Sequence, residues 1–212
     1  MRHFLGVFLG LSIAGASLLC AEPFEGTIRF QVTDLKGRVH TMDYQIKGRK
    51  IRVDMTSSQA GAMSVIVDSD SEGSIMLMEQ KKLYMNNDLS TRAQSRPEES
   101  SLERTEHSDV ILGYSCQEYI ASSARGKTEL WVTKGLGNFH NFESGPMSRA
   151  AAPSWEKKLS DQGLFPLKIV ESNVSLQAIY IDKKSLPDSL FEIPAGYSKI
   201  DLNAMTGAAA PH

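Results

Sequence analysis

The stretch Val110-Ile111-Leu112-Gly113-Tyr114-Ser115-Cys116-Gln117-Glu118-Tyr119-Ile120 decides the fold, together with Lys127-Thr128-Glu129-Leu130-Trp131-Val132-Thr133. Strand side chains alternate with period two, so the first run predicts one strand with Val110, Leu112, Tyr114 and Cys116 on a single face. The cluster Ser122-Ser123-Ala124-Arg125-Gly126 predicts a turn, and the second run predicts the returning strand, with Trp131 at its middle. A hairpin of this length needs a sheet around it.

The segments before it supply that sheet. Phe24, Gly26, Ile28, Phe30 and Val32 alternate with Glu25, Thr27, Arg29, Gln31 and Thr33, one face apolar and one wet, which is the antiparallel pattern. Turns at 35–38 and 47–50 delimit a second strand carrying Met42, Tyr44 and Ile46, and a third carrying Ile51, Val53 and Met55. Strands around Met63 to Val67, Ser74 to Glu79 and Leu83 to Met85 complete a six-strand meander. Met76 and Met78 share one face of the fifth strand and Ile75 and Leu77 the other, which predicts cover on both sides. Residues 86–101 are polar and read as a solvated loop, and 102–107 as a short strand. Leu136, Phe139 and Phe142 read as one side of a short helix. Pro153-Ser154 opens a clearer one, with Ser154 as cap, Trp155 and Leu159 on one side and Gly163 as stop. Two strands over 164–171 and 174–182, a helical turn at 186–190 and an edge segment at 191–194 follow.

Net charge is −2, and removing residues 1–21 takes away only Arg2, leaving 22 basic against 25 acidic residues. That balance argues against nucleic acid as a partner. Arg2-His3 followed by the apolar run Phe4 to Ile13 reads as an export signal, too short to span a membrane. Two cuts fit, after Ala16 or after Ala21, and the strand pattern starting directly afterwards favours Ala21. The expected organisation is a signal over 1–21, one β domain over 22–202 and a flexible tail over 203–212, in a periplasmic or secreted protein with no transmembrane segment after signal removal. Leu19 before Cys20 disfavours a lipoprotein. Cleavage after Ala16 would retain Cys20 and permit a Cys20–Cys116 bridge; cleavage after Ala21 leaves Cys116 as a lone core cysteine.

Candidate chemistry is thin. Asp68-x-Asp70-x-Glu72-Gly73 with Glu79 has calcium-loop spacing, but its flanks read as strands, so an acidic hairpin turn is expected. Gly113-Tyr114-Ser115-Cys116-Gln117 lacks the second glycine of a nucleophile elbow. His107, Ser108 and Asp109 are adjacent only in sequence, Cys116 with His140 is the one thiol–imidazole pair, and His40, His107 and His140 have no metal-ligand spacing. No catalytic residue, metal or cofactor is expected. Six of the nine methionines lie between residues 42 and 85, a composition that suits either a lipid-sized cavity or gap-filling under a curved sheet.

The segment Ile111-x-Gly113-Tyr114-x-Cys116-x-x-Tyr119 with Glu129-x-Trp131-Val132-Thr133 resembles the signature of an exported bacterial family of unknown function. Phe24-x-Gly26-x-Ile28 and Phe191-x-Ile193-Pro194-x-Gly196-Tyr197 are also similar to it. The strand order resembles the LolA/LolB lipoprotein-carrier superfold, which implies an apolar cavity for acyl chains. The expected fold is therefore mainly β: a curved antiparallel half-barrel sheet of about eleven strands covered by one or two short helices. The expected function is non-enzymatic binding of an apolar ligand, lipid or acylated protein, on a concave face carrying Phe30, Met42, Tyr44, Met55, Met63, Tyr114 and Trp131. Such binding calls for a pocket of about 300 Å³. The alternative is an envelope protein–protein interaction module without a ligand cavity.

Overall fold

The structure, a computed structural model, describes residues 23–57, 61–68, 73–88, 98–140, 153–172 and 174–200. The expected signal and tail lie outside these residues. The strands are β1 (Glu25–Thr33), β2 (Val39–Lys47), β3 (Lys50–Ser57), β4 (Gly61–Asp68), β5 (Gly73–Met78), β6 (Leu83–Asp88), β7 (Ser101–Ile111), β8 (Tyr114–Ser123), β9 (Gly126–Lys134), β10 (Leu164–Glu171), β11 (Val174–Lys183) and β12 (Ser198–Lys199). One α-helix, α1 (Ser154–Asp161), precedes β10. All twelve strands form one open, curved sheet in the order β12-β6-β5-β4-β3-β2-β1-β11-β10-β9-β8-β7. It consists of two antiparallel meanders, β1–β6 and β7–β11, joined where β1 pairs with β11. This is the expected mainly-β half-barrel.

The opening stretch folds differently from its pattern. Leu112 and Gly113 have φ of 51° and 85° and form a two-residue turn between β7 and β8. Two successive positive φ values match the twist of a tight hairpin, and Gly113 adopts one of them without steric cost. The run 110–120 is thus two strands, and Val110 pairs with Ser115. Val110 is 66% exposed and Leu112 46%, while Ile111, Tyr114 and Cys116 turn toward the core. Unbroken apolar alternation concealed the turn. The 102–107 segment is correspondingly the eleven-residue β7, and 86–88 belong to β6 rather than to a loop.

Helix α1 forms where expected, with Trp155 and Leu159 buried and Gly163 past its end at φ 64°. Ser154 is its first residue rather than its cap. The Ser154 hydroxyl accepts the Ser100 N–H at 2.9 Å and lies 2.9 Å from the Ser100 hydroxyl, tethering the helix to the start of β7. Residues 135–140 form no helix, although Leu136 and Phe139 are buried; Phe142 lies outside the described residues. Near the C-terminus, Asp188–Phe191 is a 3₁₀ turn and the expected strand over 191–194 is absent. The last edge contact is made instead by β12, which pairs parallel with β6.

The main core fills the concave face beneath α1. A second cluster lies on the opposite face, where Ile66 and Leu77 meet Leu186 and Phe191. Strand β5 is therefore covered on both sides, as its sequence implies. Gly26 of β1 pairs with Lys183 of β11, and a Cβ there would lie 2.2 Å from the Asp182 carbonyl oxygen. Backbone cannot give way as a flexible side chain would. Gly26→Ala is expected to destabilise the protein by about 2–4 kcal/mol, a steric cost carried by the joint between the meanders. Urea denaturation checks this; a loss under about 0.5 kcal/mol would show that the joint tolerates a methyl group.

Candidate functional site

The registers bring concave-face residues into rows across the sheet. Ile28, Tyr44, Val53, Val65, Met76 and Met85 are successive cross-strand partners. The adjacent row runs Phe30, Met42, Met55, Met63 and Met78. Phe30 and Tyr44 are wholly buried. Tyr44 stacks on Phe139 (centroids 5.9 Å apart, planes 12° from parallel) and meets Phe165 edge-on at 5.6 Å, while Phe30 packs edge-on to Tyr44 at 6.2 Å. The Tyr44 hydroxyl accepts the His140 N–H at 2.9 Å and donates to the Asn138 carbonyl at 3.4 Å. Burial pushes the Tyr44 phenol far above its ordinary pKa, so it stays neutral. Phe30 and Tyr44 are therefore the floor of the concave face, their surfaces taken up by the core.

Beside this floor a cavity of about 140 Å³ remains. Val32, Met42 and Met55 form its wall on the first meander, and Ile169, Val174 and Leu176 form the wall on the second. Phe139 and Trp155 close it, and His40 and Glu171 are its polar members. It has under half the expected volume, because the aromatic cluster occupies the rest. Val32, Ile169 and Leu176 were not singled out in the sequence. Ile169 and Leu176 meet Met42 only through the β1–β11 joint, for which the local pattern carries no signal.

The other expected ligand contacts are dispersed. Met63 lies further along its row, and Tyr114 is half-buried against the core on β8. Trp131 is a correction: it alternates with the buried Leu130 and Val132 and so faces the convex side. There its indole donates to Glu129, and the Lys168 ammonium lies 5.5 Å from the ring centroid. Nearby, the Thr105 hydroxyl and then His107 hold the buried Glu118 carboxyl below its ordinary range. His107 is thus occupied by Glu118. Cys116 is a free, buried thiol whose Sγ faces the Tyr114 carbonyl, and burial raises its pKa. His140 Nδ1 lies 3.7 Å from Glu156, and burial lowers its pKa. The structure brings together neither the Cys116–His140 pair nor, among the described residues, any metal-binding group of three or more His, Cys, Asp or Glu. Asp70 and Glu72 lie outside the described residues.

An open groove of about 300 Å³ crosses the convex side of β2–β4. Its centre is Arg52, which donates to Asp54 at 2.7 Å, Ser64 at 2.9 Å, Glu79 at 3.1 Å and the Leu190 carbonyl at 3.0 Å. The Tyr197 hydroxyl donates to Glu79 as well. This network ties the C-terminal segment to the sheet. Desolvation pushes the Glu79 carboxyl up, but the bonds from Tyr197, Ser64 and Arg52 outweigh it and hold the pKa below its ordinary 4.5.

A family described as "Domain of unknown function (DUF4412)" matches residues 24–197. No curated protein matches the chain. Among solved structures, PNGF-II in two crystal forms is similar at TM-score 0.52, with 15% and 16% identity. Each match covers 87% of this chain, which spans 32% of the PNGF-II chain, and the likeness is one of fold. An uncharacterized conserved protein from Thermus thermophilus is similar at TM-score 0.47 and 10% identity, with 84% of this chain and 89% of that one covered. Among the described residues no helix is long and apolar enough to cross a membrane.

The lowered pKa of Glu79 sets a pH dependence. A carboxyl whose folded pKa is depressed stabilises the fold above its unfolded pKa, and that stability is lost as pH falls through the folded value. Glu79→Gln is expected to cost about 1–2 kcal/mol at pH 7. The gap from wild type should narrow as pH falls from about 4.5 and close once pH is below the depressed folded value, where both proteins carry a neutral group. Denaturation of both proteins between about pH 7 and pH 3 checks this; a constant gap would show that Glu79 acts through packing alone.

Proposed function

The chain belongs to the DUF4412 domain-of-unknown-function family, and on that premise we propose that it is a non-enzymatic binding domain for an apolar group, held at the open end of the half-barrel. The observation that carries this reading is the cavity between Met42 and Met55 on one wall and Ile169 and Leu176 on the other. Apolar pockets of about 150 Å³ stay dry and accept a benzene-sized guest. The 140 Å³ here accordingly suits the end of an acyl chain, from a lipid or an acylated protein, rather than a whole lipid. Methionine side chains adapt to such guests. The resemblance to lipoprotein carriers and the signal-like N-terminus support the same reading and an envelope or secreted location.

A second reading is an envelope protein–protein module. The filled floor under Phe30 and Tyr44 favours it, as does the free edge of β7, which ends the sheet with most of its side chains exposed. Native mass spectrometry of protein purified from a periplasmic extract separates the two. Wild type is expected to carry a lipid adduct. Val174→Trp, which places an indole at the cavity rim, is expected to lose the adduct while keeping its circular dichroism and its melting temperature to within about 5 °C. A clean apo mass for wild type under gentle conditions would sink the apolar-ligand reading.

A further inference from the structure

We propose that the methionine row beside this cavity is a soft-metal site that takes Cu(I), with His40, Met42 and Met55 as its ligands. The argument starts from register. Met42 pairs with Met55, Met55 with Met63, and Met63 with Met78, so four adjacent strands place a methionine at one level of the sheet. Directly opposed strand residues have Cβ atoms about 4.5–5.5 Å apart. Methionine has three rotatable bonds, so neighbouring sulfurs can converge on one ion. His40 precedes Met42 by two residues and therefore shares its face, and all three side chains line the same cavity.

Exposure separates these methionines from fillers. Met76 and Met85, one row deeper, are 3% and 5% exposed and pack as ordinary apolar side chains. Met42, Met55, Met63 and Met78 are only half-buried; Met42 and Met55 pack on the core and also border the cavity. Two neutral thioethers and an imidazole form a soft ligand set, matched to a monovalent soft cation and poorly suited to calcium or magnesium. Glu171, on the facing wall, supplies the one negative charge among the lining residues. This site stands independently of the acyl-chain reading, because it rests on sulfur and nitrogen donors rather than on apolar volume.

The test uses the full chain with Cys20→Ser and Cys116→Ser, so that no thiol competes. Cu(I) is titrated anaerobically against the chelator bicinchoninate. The unsubstituted row is expected to withdraw a single equivalent of Cu(I), Met42→Leu with Met55→Leu to bind roughly 100-fold more weakly, and His40→Ala roughly 10-fold more weakly. Met76→Leu with Met85→Leu is expected to leave binding unchanged. Leucine preserves volume and apolarity, so the Met42/Met55 double variant is expected to stay folded, which circular dichroism checks. Failure of the unsubstituted row to compete with the chelator, or equal binding by the Met42/Met55 double variant, would overturn the site. A clean apo mass for wild type with Cu(I) binding intact would instead overturn the apolar-ligand reading alone.

Discussion

The hydrogen-bonded ladder between β1 and β11 holds the two meanders together. Each meander is local: every strand from β2 to β5, and from β8 to β10, pairs with its chain neighbours. Such pairings close short loops at small entropic cost. The ladder between the meanders is β1 with β11, from Gly26 opposite Lys183 to Thr33 opposite Ser175, while the short β12 returns to β6. The register shifts between Arg29 and Phe30, and a second irregularity falls at Pro166 to Lys168 on β10. Bulges of this kind increase local twist, and they lie where the sheet has to curl around its helix.

Curvature then decides what the concave face can hold. Curling brings Phe30, Tyr44 and Phe165 within ring-contact distance and seats Phe139 on top of them. Burying each such side chain is worth about 1.5–3 kcal/mol, so the cluster outweighs the gain from keeping an open ligand channel. The 140 Å³ cavity is the space this packing leaves beside Val32 and His40 on one side and Glu171 and Val174 on the other. Two methionines, Met42 and Met55, border that space beside Val32 on the first meander.

The convex side shows how polar groups can hold a sheet whose other face does the burying. Arg52 satisfies four acceptors and is mostly sheltered, and Glu79 gathers three donors. Each lone pair or N–H withdrawn from water thereby finds a partner. The C-terminal segment has too little regular structure to pack by itself. It is held by this network and by Leu186 and Phe191 against Ile66 and Leu77.

Much of the fold was legible because alternation in strands is a local, period-two signal. The meander from Phe24 to Met85, the two-sided cover of β5 and the helix bearing Trp155 and Leu159 all follow from residues within a few positions of one another. The Leu112-Gly113 turn was not legible, since a leucine in the left-handed region leaves the apolar pattern intact. Neither was the outward direction of Trp131, although Leu130 and Val132 beside it carried the signal that it points away from them. By itself the sequence determined the strands, their wet and oily faces and the concentration of methionine in the first meander. Tertiary structure alone decided that β1 would meet β11. It thereby set Val32 and Met42 against Ile169 and Leu176, because a pairing between the two ends of the domain leaves no trace in any local window.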